Sequence, residues 1–162
     1  MKSENDVATA VLQTVMQAAA PGLFTWDATG RGLITIAPTQ EIAAVTTDGI
    51  PSRPARRGEY LTIYASGLGE AVDGVPVGTP APLDRLVLLS NKIKVVLGGI
   101  EINPAFAGLA PGTAGLFQVD VQLPAEAPAG PTVPLYIKTI LPDGAVVMSN
   151  AVTVAITDAT NE

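Results

Sequence analysis

The stretch Arg57-Gly-Glu-Tyr-Leu-Thr-Ile-Tyr-Ala-Ser-Gly-Leu-Gly69 decides the fold. Tyr60, Thr62 and Tyr64 alternate with Leu61, Ile63 and Ala65. A period of two in β-forming residues reads as a strand with two unlike faces. Gly58 punctuates its start, and Gly67 and Gly69 its end. Outward in both directions the chain repeats this grammar of short apolar runs between Gly and Pro.

Towards the N-terminus, residues 33–37 read as a short strand after a turn at Gly30 and Gly32, and residues 41–46 as a weaker one. Residues 47–58 read as a polar loop, with Asp48-Gly49, Pro51 and Pro54. Towards the C-terminus, residues 70–84 form a Gly/Pro loop without periodicity. Strands are predicted over residues 86–96 (broken at Ser90-Asn91), 101–106 and 115–123, with a tight hairpin at Gly98-Gly99. Residues 124–131 read as a further loop. Residues 132–141 and 145–156 form a closing hairpin across Pro142-Asp143-Gly144. The sandwich spans residues 21–157, and the tail 158–162 is polar.

Residues 1–20 form an arm that two periodicities fit. As a helix, Ser3 caps it and Val7, Val11, Leu12, Val15 and Met16 share a face. As a strand, Ala8, Ala10, Leu12, Thr14 and Met16 alternate with their neighbours. The strand is preferred, because Asn5-Asp-Val-Ala-Thr-Ala-Val-Leu echoes Asn150-Ala-Val-Thr-Val-Ala-Ile-Thr. Pro21-Gly22 then breaks it from the rest. About eight to ten short strands at regular spacing predict an all-β, antiparallel, immunoglobulin-like sandwich, with a closed barrel as the alternative.

Composition agrees. Sixteen Gly and fourteen Pro in 162 residues favour strands and turns over helices. Apolar residues make up 48% and mean hydropathy is +0.38, too apolar for disorder. No apolar run reaches the roughly 20 residues of a membrane span, so no membrane insertion is expected. A net charge of −6 disfavours nucleic acid and anionic membrane surfaces as partners.

Cys and His are both absent, which removes disulfides, thiolate chemistry, zinc and iron sites, and the usual base of a nucleophilic triad. Ser66 lies in Ala-Ser-Gly rather than Gly-x-Ser-x-Gly. Gly67-Leu-Gly69 lacks the Lys-Ser/Thr of a phosphate loop. Glu59, Glu70, Asp73, Asp84, Glu101 and Asp120 are the carboxylates a glycosidase would need in pairs. Glu70 and Asp73 sit in a loop that does not fix their separation. No cofactor is expected. Calcium is the one candidate metal, through the loop acids Asp48, Asp73 and Asp143, although Asp-Gly turn formation accounts for all three. Arg53, Arg56 and Arg57 form the basic cluster, which pairs either with acids at a sheet edge or with a carboxylate of a partner or a polysaccharide acid. Trp26, Tyr60 and Tyr64 are the residues able to stack on a sugar, with core or loop packing as the alternative for Trp26.

Six blocks in order carry a resemblance: Ala20-Pro-Gly-Leu-Phe-Thr25, Pro54-Ala-Arg-Arg-Gly58, Leu61-Thr-Ile-Tyr-Ala-Ser-Gly-Leu-Gly69, Ala107-Gly-Leu-Ala-Pro-Gly112, Gly115-Leu-Phe-Gln-Val-Asp-Val121 and Ser149-Asn150. From about residue 11 to residue 156 the chain resembles the C-terminal domain common in large secreted proteins of Solibacter-type acidobacteria. That family usually has Asn where Asp120 stands and Tyr where Phe106 stands. The later half is also similar to IPT/TIG-type immunoglobulin domains. The resemblance implies an extracellular or cell-surface module, at the end of a longer polypeptide, with no catalytic role. The acidic start, Met-Lys-Ser-Glu-Asn-Asp, is not a secretory signal. Under this reading it opens a segment of a longer chain; otherwise the protein is cytosolic.

Three functions are therefore expected in order. The first is a structural and interaction module that contacts neighbouring modules or identical subunits, with the first strand adding to a neighbour's sheet edge. The second is a carbohydrate-binding module using Trp26, Tyr60 or Tyr64, with a polysaccharide as partner. A hydrolase built on Glu70 and Asp73 comes last.

Overall fold

The computed structural model describes residues 17–72 and 74–158. These hold no helix. Their strands, in chain order, are β1 (Gly22–Leu23), β2 (Ile34–Ala37), β3 (Glu41–Ala43), β4 (Ser52–Arg53), β5 (Ala55–Arg56), β6 (Tyr60–Ser66), β7 (Val87–Leu88), β8 (Lys92–Leu97), β9 (Ile100–Ile102), β10 (Phe106–Leu109), β11 (Phe117–Gln122), β12 (Gly130–Ile140), β13 (Val146–Met148) and β14 (Val152–Thr157). They form two sheets. The first runs β4-β3-β2-β6-β11-β10-β7, with β1 also on β6; the second runs β5-β14-β12-β8-β9, with β13 also on β12.

The central strands fall into immunoglobulin order. With β6, β8, β10, β11, β12 and β14 as B to G, a B-E-D sheet faces a C-F-G sheet. Strand β2 takes the place beside B. Between these strands pairing is antiparallel except at two short edges, β3 with β4 and β5 with β14, which are parallel, as is the isolated bridge between Arg31 and Thr153. The fold is thus the expected all-β sandwich, with parallel stitching at its margin.

Alternation builds the core. Leu61, Ile63 and Ala65 of β6 are fully buried, while Tyr60 and Tyr64 point the other way. Val119 and Val121 of β11 and Ile34 and Ile36 of β2 extend the same inner layer. Val95 and Leu97 of β8, Leu135 and Ile137 of β12, and Val152 and Val154 of β14 face them from the second sheet. Each of the Val, Leu and Ile side chains among them contributes about 1.5–3 kcal/mol on leaving water.

Several elements differ from the sequence expectation, and chain crossings between sheets explain most of them. Residues 47–58 are not simply a loop: β4 lies in the first sheet, β5 in the second, and Pro54 is where the chain changes sheet. The predicted strand 101–106 is two strands. β9 ends at Ile102 in the second sheet, and β10 begins at Phe106 in the first. The predicted break at Ser90-Asn91 is such a crossing too, between β7 and β8. These splits raise the strand number beyond the about eight to ten expected. Strand β12 starts at Gly130, inside the predicted loop, with a register shift between Gly130 and Val133 that accommodates Pro131. The Gly98-Gly99 hairpin is as expected. Both residues have positive φ (53° and 87°), which a two-residue type I′ turn demands.

Candidate interaction site

Three of the sequence blocks converge on one short segment, residues 18–23. Ala19 is buried, and the Ala20 N–H donates to the Gly67 carbonyl at 2.8 Å. Gly67 has φ 68°, and a Cβ there would stand 2.1 Å from the Ala20 carbonyl oxygen. Only glycine permits that approach. A Cβ at Gly69 would stand 2.1 Å from Asn91 Nδ2, which itself donates to the Leu68 carbonyl at 3.0 Å. The Ser-Gly-Leu-Gly end of the organising strand is therefore a slot for main chain.

Strand β1 continues from this slot. Gly22 pairs with Ser66 and Leu23 with Ala65. On the side away from β6, Leu23 meets a side chain that imitates a strand. Asn150 Oδ1 accepts the Leu23 N–H at 2.7 Å, and Asn150 Nδ2 donates to the Leu23 carbonyl at 3.1 Å. Asn150 is aimed there by the interruption between β13 and β14, both of which pair with β12. Ser149 holds that interruption: its N–H donates to the Ile137 carbonyl and its Oγ accepts the Ile137 N–H, both at 2.9 Å. Beyond the turn, Gly32 N–H donates to the Thr153 carbonyl at 3.0 Å and Thr153 N–H to the Gly30 carbonyl at 3.1 Å. The N-terminal segment thus spans both sheets, from β6 to β14. Residues 1–16, including the Asn5 echo and the helix-or-strand choice, lie outside the described residues, as do Asp73 and the tail 159–162.

The basic cluster is engaged within the chain. Arg53 Nε donates to Glu41 Oε2 at 2.8 Å, and its two terminal nitrogens hold Glu59 at 2.8 and 3.0 Å. Glu59 also accepts the Arg56 N–H at 2.7 Å. Arg53, then Arg56, hold the Glu59 carboxyl below its ordinary range against the opposing effect of burial. Hydrogen bonds from Thr39 and Arg53 do the same for Glu41. Arg57 donates from Nε to the Ala127 carbonyl at 2.9 Å and pairs with Asp158 at 2.5 Å.

Trp26 sits apart from Tyr60 and Tyr64, in the turn after β1. The Arg31 guanidinium lies 4.4 Å from its ring centroid, and Asp27 holds Arg31 at 2.5 Å. One ring face is therefore covered. Tyr60 and Tyr64 share the outer face of β6, opposite Gln122 and Gln118 of β11. The sequence reading gave Asn150 no site role. Its signal was the polar Ser149-Asn150 pair interrupting an apolar strand.

Among the described residues no group of three or more acids stands close enough to hold a metal. Asp143 Oδ1 accepts the Ala145 N–H at 2.9 Å, an ordinary turn contact. A cavity of about 490 Å³ is lined by Ala71, Val75, Pro76, Leu109 and Phe117. No family model, no curated protein and no solved structure matches the chain.

Proposed function

We propose that this chain is a non-catalytic structural and interaction module of a secreted or cell-surface protein, working by strand addition. The slot that holds residues 18–23 receives the same segment of a second copy. One observation carries this reading: the segment is gripped mainly by main-chain pairing, two close-approach glycines and the Asn150 fork. These contacts, with Ala19 and Leu23 buried beside them, recognise an extended backbone carrying small and apolar side chains from whichever molecule supplies it. Exchange of an identical element is a low-cost route to assembly. The resemblance to secreted modules supports the location.

A chain lacking residues 1–23, titrated with a peptide of residues 17–26, tests it. Saturable binding is expected, weakened about tenfold or more by Asn150→Ala, which removes both fork hydrogen bonds. A truncated chain that stays folded and ignores the peptide overturns the reading. If truncation unfolds the chain, two differently labelled full-length populations are incubated at high concentration. Mixed oligomers support exchange, and their absence overturns it.

A further inference from the structure

We propose that the outer face of the first sheet is a binding groove for a neutral saccharide. It shares no residue with the strand slot, so either reading stands without the other. The groove runs between the turn at residues 38–40 and Phe106, with Tyr60, Thr62, Gln118 and Asp120 between them, and is an open depression of about 490 Å³. That volume lies within the range of roughly 300–1,000 Å³ usual for small-molecule sites.

Register places these side chains together. Thr62 pairs with Asp120, and Asp120 with Phe106, so the three form one row across β6, β11 and β10. Tyr60 with Gln122, and Tyr64 with Gln118, form the flanking rows. All alternate with the core residues Leu61, Ile63, Val119 and Val121 and therefore project outward. Tyr60 is 44% exposed.

Two details shape this face for a ligand. A Cβ at Gly108 would stand 2.7 Å from Phe106 Cζ. The tip of the Phe106 ring thus reaches back over the glycine, whose Cβ would also stand 2.0 Å from the Val87 carbonyl oxygen. On the other rim, Gln40 has φ 61°, a left-handed conformation that costs a non-glycine residue of order 1–3 kcal/mol. Left-handed residues of this kind recur in hairpin turns and at ligand clamps alike.

The polar groups decide the ligand class. Gln118 Nε2 donates to Asp120 at 2.9 and 3.2 Å, which orients the carboxylate. A carboxylate has about four acceptor sites, so capacity remains for hydroxyl donors. The Gln118 carbonyl adds an acceptor. Asp120 and the net charge of −6 oppose an anionic ligand. A pyranose satisfies the remaining requirements, with hydroxyls for Asp120 and Gln118 and an apolar C–H face for Tyr60 and Phe106.

Affinity electrophoresis of the full chain in gels containing galactomannan, xyloglucan, hydroxyethylcellulose or laminarin tests this. Retardation by at least one polysaccharide is expected. Tyr60→Ala and Asp120→Asn should each weaken it about tenfold, the loss of one aromatic contact or one charged hydrogen bond. Lys138→Ala, on the second sheet, should leave it unchanged. Melting curves show that the variants remain folded, and Gln118→Ala serves in place of either one that does not. Absence of retardation in every gel overturns the proposal. So does retardation indifferent to these variants.

Discussion

At one edge of the first sheet a single arginine serves two glutamates, while on the outer face of the second sheet a single glutamate serves two lysines. The arithmetic of charge is mirrored, but the physics is not. Arg53 grips Glu59 through two nitrogens at 2.8 and 3.0 Å and Glu41 through a third at 2.8 Å. The side chains of Arg53 and Glu59 are 23% and 24% exposed. Glu101 stands 3.3 Å from Lys138 and 3.6 Å from Lys94 and is 47% exposed. A planar guanidinium can satisfy two carboxylates at fixed angles, whereas an ammonium offers only a point charge. The first cluster also reinforces a weak seam, since β3 and β4 share a parallel ladder of only two Cα pairs. Glu41 lies on β3, Arg53 on the two-residue β4, and Glu59 just ahead of β6. Lys94, Glu101 and Lys138 lie on β8, β9 and β12, whose ladders already hold them side by side. The arginine cluster therefore fastens an edge, and the lysine cluster wets a face.

The largest effect expected from this contrast is that of Arg53→Ala. It leaves two partly shielded carboxylates near each other without their shared donor. Charge-assisted hydrogen bonds of this kind support a loss of about 1–2 kcal/mol, discounted for the exposure that remains. Urea unfolding at pH 7 measures it. The loss should also depend on pH. Glu59 and Glu41 have folded-state pKa values below their unfolded ones. Their pairing thus stabilises fully above the ordinary glutamate range and is lost as pH falls through the lowered values. The gap between wild type and variant should narrow on acidification. A constant gap would mean that Arg53 acts by packing rather than by charge.

Arg53→Lys should cost less, about 1 kcal/mol. The charge stays but the fork is lost, so one glutamate is released. Equal stability of the Lys and Arg forms would remove geometry from the account and make the two clusters alike.

These contrasts also show what could be read without coordinates. Alternation around Tyr60 and Ile63 is a local signal, and it located the inner layer of the first sheet. The internal pairing of Arg53 was one of two readings that composition allowed. Its partner Glu41 is twelve residues away and meets it only because β3 and β4 run parallel. Nothing in the sequence marks a parallel pair between strands this short. The sheet crossings at Pro54 and at residues 103–105 were obscured differently, although a proline, Pro54 or Pro104, stands at each. A bend that carries the chain from one layer to the other keeps the apolar alternation on both sides. Asn150 and Gly108 were visible as residues and silent as contacts: one meets Leu23 and the other makes room for the Val87 main chain and for Phe106. Chain distance hid the first. The second was masked because Gly in a strand ordinarily reads as weakness.

The smallest expected effect belongs to Glu101→Gln. Lys138 first, then Lys94, lower the pKa of Glu101. Its contribution therefore exists above the ordinary glutamate range and disappears as pH falls through the lowered value. The group is solvent-facing, and exposed pairs contribute little because water and salt screen them. The variant should melt almost with the wild type at pH 7 and low salt, and together with it at high salt or acidic pH. Neutralising Glu101 also leaves Lys94 facing Lys138 across β8 and β12 at Cα-paired positions. Like charges so placed repel, which is the one route to a visible loss. Glu101→Gln with Lys138→Gln separates the two causes. Recovery in the double variant assigns any loss to lysine repulsion, whereas a loss that persists would show that this face is fastened as firmly as the edge held by Arg53.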